Sequence, residues 1–321
     1  MSRLPGGGDG ASEYEYEYEY DDEGRGWRRL LRDPWCELVD DRAYAAFRIA
    51  FSIVALANLI NLWFYRDAFF TSDGMIPSEV IGEAGWYTQL SVFNLITSSW
   101  AVSLYFAVSA GAIICLGLGV SPRLAAVLVF IWHLSFTYRA IPGCTGWDHV
   151  LRAYSFLVMV SPLGVSWSLR RFSPPRSVPN YGISLMRLQV AVIYWQGIVV
   201  KLGDKYWQDG EFLSYFLLSV HARWPHRRVA EWNDLFIPAT YIAILIEIAI
   251  PILLFIPRTR KFGFLLGFSF HLLIAIMSRH IIFFSLTMWM TYVAFIDVRT
   301  LDRIEFAVRS RLRRGRDATS L

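Results

Sequence analysis

Tyr194-Trp-Gln-Gly-Ile-Val-Val-Lys-Leu-Gly-Asp-Lys-Tyr-Trp-Gln-Asp-Gly210 closes an apolar run that begins at Ile183. The run carries Arg187 and Gln189 near one end and Lys201 near the other, then breaks at Gly203 into a polar turn rich in Trp and Asp. An apolar stretch of about twenty residues is what crosses about 30 Å of hydrocarbon. An ammonium at the edge of such a stretch is costly unless it is paired, hydrated or neutral. Lys201 is therefore the first candidate functional residue.

The whole chain repeats that pattern. Of its 321 residues, 55% are hydrophobic, 16% aromatic and only 18% charged. Soluble domains sit nearer about 45–50% apolar and about 25% charged. The expectation is an all-α, polytopic membrane bundle of about eight spans. They fall near residues 44–65, 100–120, 124–141, 148–167, 183–203, 235–257, 261–278 and 281–297. No cleavable signal peptide is expected, because the first apolar run follows some forty polar residues.

Residues 1–26 form an acidic tail in which Glu-Tyr repeats from Glu13 to Tyr20, and its adjacent carboxylates predict disorder. Residues 27–42 open on Trp27-Arg-Arg-Leu-Leu-Arg32 and read as a basic interfacial helix. Residues 43–298 make one transmembrane domain, and 299–321 a basic tail. The long connector 66–99 has enough aromatic residues to predict packing on the membrane face.

The net charge of +4 does not predict nucleic-acid binding, because the basic residues lie at the ends of apolar spans and form no single patch. With eight spans, twenty Lys and Arg residues fall on the side of the termini, seven on the other side and four within spans. That asymmetry predicts both termini in the cytoplasm. Cys36, Cys115 and Cys144 are scattered without CxxC spacing, so neither a disulfide framework nor a metal site is expected.

This topology places Asp148, His149 and Arg152 at the outer mouth of the fourth span, level with Lys201, Asp204, Arg279 and His280. Asp148 and Arg152 are four apart and can pair on one helix face. A desolvated Lys201 would act as a base, whereas an Asp204 partner would favour its charged form. Snorkelling of Lys201 to the headgroups is the plain alternative. For Asp148 the plain alternative is an acid at a helix N-terminus. Arg48 either snorkels or makes an ion pair, and His133, Glu247 and His271 read as packed residues.

These residues resemble the horizontally transferred transmembrane (HTTM) domain, the membrane part shared with vitamin K-dependent γ-carboxylases, over residues 40–297. The similarity rests on Gly197-Ile-Val-Val-Lys201-Leu followed by Trp207-Gln-Asp-Gly210. Trp147-Asp-His149, Pro162 with Trp167-Ser168, Glu247 with Pro251 and Pro257-Arg258, and His271 in Ser-Phe-His-Leu support it. By resemblance, Lys201 matches the lysine that deprotonates vitamin K hydroquinone, and His149 lies near the family's functional histidine. The resemblance implies a membrane enzyme acting on a quinone-like or other lipophilic substrate, with Lys201 as base and Asp148 and His149 assisting. It assigns no cofactor-binding residue beyond that. The β-rich domain that holds peptide in the carboxylases does not follow the spans, so peptide carboxylation is not expected. The other reading is a non-enzymatic relative, partner-binding, immunity or transport-accessory, that keeps only the fold. Its partners would be the bilayer and a protein.

Overall fold

The computed structural model describes residues 37–75, 85–163, 166–169, 175–225 and 231–319, together with Trp35, Val80 and Glu83. In chain order the helices are α1 (Arg42–Trp63), α2 (Arg66–Phe70), α3 (Ser99–Leu118), α4 (Pro122–Arg139) and α5 (Gly146–Val160). They continue with α6 (Tyr181–Gly203), α7 (Lys205–Gln208), α8 (Phe212–Leu218), α9 (Asn233–Phe255), α10 (Arg260–Met277), α11 (Ile282–Tyr292) and α12 (Val298–Thr319). Every expected span is a helix, and the all-α bundle is the architecture observed.

The lengths are less uniform than expected. Five helices, α1, α3, α6, α9 and α10, are long and apolar enough to cross a membrane, and a sixth if α11 and α12 count as one broken span bent by 109°. Helix α4 has 18 residues but carries Trp132, His133 and an Arg at each end. Helix α5 has 15 residues and stops at Val160, short of the expected residue 167. At about 1.5 Å per residue it covers only about 22 Å. Both α5 and α11 bury a polar row, Asp148 and Ser155 on one and Ser285, Thr287 and Thr291 on the other. A helix shielded by its neighbours need not match the hydrocarbon thickness, because protein and not lipid covers its ends.

A packed aromatic cluster forms the centre of one half. Phe70 and Phe93 come from the connector and stack at 4.5 Å, and both meet Phe106 of α3, which meets Trp132 of α4 at 4.7 Å. The connector therefore reaches into the core rather than only lying on the membrane face. Arg48 is fully buried and donates to the carbonyls of Ser166 and Trp167, so it neither snorkels nor makes an ion pair. His133 is packed as expected, its Nδ1 2.8 Å from the Val129 carbonyl.

One correction concerns the start of the chain. The acidic tail and most of the basic segment, residues 1–34, lie outside the described residues. Where the interfacial helix was expected to reach residue 42, the chain is instead a strand, β1 (Leu38–Asp40), paired antiparallel with β2 (Ser177–Pro179). Asp41 ends this strand by accepting from Ser166 Oγ at 2.6 Å and from the Arg176 amide at 3.1 Å. The helix starts only after that acid is committed. At the other terminus, the residues read as a tail form α12, whose Leu301 is fully buried.

Candidate functional site

Lys201 lies in the last turn of α6, and its ammonium forms an ion pair and hydrogen bond with the Glu247 carboxylate of α9. Their side chains are 19% and 13% exposed, so the pair is sheltered without being sealed. The ammonium also lies 5.0 Å from the centroid of the Trp207 ring, which in turn stacks on Phe212 at 4.0 Å. A cation near the face of an indole gains electrostatic attraction. Gly197, one turn earlier, lies beside the ammonium: a Cβ there would stand at an ordinary contact distance of 3.7 Å from Nζ.

The turn after Lys201 explains the Trp-x-x-Gly part of the motif. Asp204 caps α7 by accepting from the Trp207 amide at 3.3 Å, so it serves the backbone and does not pair with Lys201. Gln208 donates to the Leu202 carbonyl at 2.6 Å, and Tyr241 of α9 donates to the Gln208 carbonyl at 2.6 Å. Gly210 has φ +75°, and a Cβ there would lie 2.8 Å from Ile237 of α9. Only glycine satisfies both the left-handed backbone and that close approach. The turn thereby holds the end of α6 against α9, which keeps Lys201 facing Glu247.

Two turns below Lys201 on the same face of α6, Tyr194 is buried. Its hydroxyl lies 3.0 Å from His271 Nε2 of α10 and hydrogen-bonds the Tyr292 hydroxyl of α11. His271 Nδ1 is buried without a hydrogen-bond partner among the described residues. Gly267 makes this approach feasible, since a Cβ there would meet the Tyr292 hydroxyl at 2.7 Å. Glu247, Lys201, Tyr194, His271 and Tyr292 thus come from four helices to one polar seam.

Asp148 and His149 occupy a different setting. Asp148 accepts from the Thr145 amide at 2.9 Å and hydroxyl at 2.8 Å, completing a capping box, and from Asn58 of α1 at 3.0 Å. It is 3% exposed and fully engaged in starting α5. His149, next to it, faces outward. Among the described residues no hydrogen bond or ion pair joins either of them to Lys201. Arg152 donates to Thr137 at 3.2 Å and stands 4.9 Å from the Tyr138 ring, so it does not pair with Asp148.

Sequence reasoning found Lys201 and left Glu247 and His271 without partners. The available signal was energetic: an acid at mid-span and a base in another span are each costly, and together they are far cheaper. Tyr194 and Tyr292 gave no such signal, because a tyrosine in an apolar helix is ordinary. Two grooves, of about 320 and 210 Å³, lie elsewhere, one along α1 and α3 beside Trp167 and one near Asp41 and Arg176.

Over 196 residues the chain is 24% identical to the uncharacterized protein YitO of Bacillus subtilis (strain 168), covering 58% of this chain. It spans 59% of the length of that relative. No solved structure matches. The HTTM domain, by contrast, matches residues 37–299, from β1 through every helix of the bundle to the start of α12. A match of that extent takes in the Lys201 turn, the capping box of α5 and the His271 helix together, and it makes the chain a member of the HTTM domain family.

Proposed function

We propose that this HTTM protein is a membrane enzyme that deprotonates a quinol-like or other lipophilic hydroxyl compound, with Lys201 as base. The observation that carries the reading is the Lys201–Glu247 pair at the lipid-facing seam between α6 and α9. Exposed Trp195, Val200 and Leu202 on α6, with Leu245 and Ile248 on α9, line its approaches. That surface suits a substrate arriving sideways from the bilayer.

The pair also supplies the chemistry. In this proposal the proton of the pair passes from Lys201 to Glu247 before the substrate reacts. When Glu247 holds it, Lys201 is a neutral amine; the substrate O–H bond then breaks, its proton moves to Nζ, and the alkoxide or phenolate remains beside a new ammonium. Tyr194, His271 and Tyr292 form a hydrogen-bonded set two turns deeper on the same seam, which holds α6 against α10 and α11. Asp148 and His149 act in this proposal through the outer end of α5, as elements that position the bundle.

The same pair supports the non-enzymatic reading, since a satisfied ion pair also serves purely to lock α6 to α9. The two readings separate in proteoliposomes supplied with a reduced quinone. Lys201→Met is expected to lower quinol turnover by about a hundredfold or more, the scale of a lost general base. The double variant Lys201→Met/Glu247→Leu removes the unpaired charge, so it restores thermal stability without restoring turnover. Turnover equal to wild type in that folded double variant would sink the enzyme reading and leave the structural one.

A further inference from the structure

At the opposite end of the bundle from Lys201, two guanidinium groups converge on one aromatic ring. Arg187 of α6 places its central carbon 5.5 Å from the centroid of Phe295, and Arg260, the first residue of α10, places its own at 6.0 Å. Each uses Nε on a backbone carbonyl, Arg187 on Ala294 at 2.8 Å and Arg260 on Leu254 at 3.0 Å. Among the described residues neither forms a salt bridge. Among the described residues, the hydrogen bonds of both guanidiniums are made through Nε alone.

The surrounding charges do not neutralise the pair. Asp297 lies on the Arg260 side and Glu37 on the Arg187 side, each acting at a distance. Asp297 is already engaged: the hydroxyl and amide of Thr300 hold its carboxyl below the usual range while it caps α12. Arg258, Lys261 and Arg299 add positive charge to the same corner of the sequence. Two guanidiniums beside one ring offer forked donor sets of the kind that match the oxygens of a phosphate.

The same corner holds a sharp bend in the chain. Helix α11 gives way here to α12 through a bend of 109°, as a chain does when it leaves the hydrocarbon and runs along the surface. Along α12, Leu301 is buried while Arg299 and Arg303 are exposed. A basic amphipathic helix favours an anionic leaflet.

We infer that Arg187 and Arg260, both beside Phe295, bind the phosphate of an anionic phospholipid. The test uses the purified full chain in detergent, with phosphatidylglycerol, phosphatidylcholine or inorganic phosphate added, read by native mass spectrometry and thermal unfolding. Phosphatidylglycerol is expected to stay bound and raise the unfolding temperature, while phosphatidylcholine does neither. Arg260→Gln lowers bound phosphatidylglycerol at least fivefold, and Arg187→Gln adds little further loss because both serve one ligand. Equal retention in wild type and the folded Arg260→Gln variant would overturn the site. An equal temperature rise with inorganic phosphate alone would overturn the lipid as the source of the phosphate.

Discussion

Asp148 accepts three hydrogen bonds at the opening of α5, two from Thr145 and one from Asn58 across the helix interface. Losing a helix cap costs about 0.5–2 kcal/mol. Leaving a buried amide unpartnered adds about 1–3 kcal/mol. Asp148→Ala is therefore expected to destabilise the bundle by about 2 kcal/mol or more, whereas His149→Ala at the exposed neighbour leaves the unfolding temperature near wild type. Thermal unfolding in detergent measures both, and an Asp148→Ala protein that melts with wild type would remove the cap from the account. At this scale the sequence was half legible. A charge at the end of a span announces Lys201, but its partner sits 46 residues away on another helix, and no local spacing reports it. Asp204, three residues on, was the nearer guess and turned out to be committed to the amide of Trp207.

Helices α10 and α11 approach closely because Gly267 has no side chain where the Tyr292 hydroxyl lies. Gly111, in the interior of α3, faces open space, with nothing within 4 Å of an added Cβ. The same substitution should therefore act in opposite directions at the two sites. Gly267→Ala forces Tyr292 away from Tyr194 and His271 and lowers stability, while Gly111→Ala is neutral or raises the unfolding temperature by relieving the entropy cost of glycine. A Gly267→Ala protein as stable as wild type would mean that the Tyr194–His271–Tyr292 contacts are loose. Long apolar elements such as α1 and α9 were legible from composition alone. The short ones were legible as helices but not in length, because α5 and α11 are covered by protein and carry Ser, Thr and Tyr rows that dilute their apolar signal. Strand β1 was hidden altogether: three residues, Leu38–Asp40, form a strand only because β2 arrives from residues 177–179.

Across the whole molecule, the arrangement of charge constrains how the bundle sits in a bilayer. The network in which Arg42 bridges Asp40, Asp302 and Glu305 ties the start of α1 to α12, at distances from 2.5 to 2.9 Å. Whatever the orientation of the bundle, that tie keeps the first spanning helix and the C-terminal helix at one membrane face. The basic residues gathered at the same face then favour the cytoplasmic side, since positive loops resist translocation. Lys201, whose helix starts near that face at Tyr181 and runs away from it, would stand toward the other leaflet. Single cysteines in a variant lacking Cys36, Cys115 and Cys144 can test this with a membrane-impermeant maleimide on intact cells. A cysteine at Ser310 in α12 is expected to label only after the membrane is opened, whereas one at Asp209, beyond the Lys201 turn, labels from outside. Labelling of both positions from the same side would overturn the orientation. It would also require that α11, which follows α9 and α10 between the two labelled positions and is too short to span unaided, fail to carry the chain across.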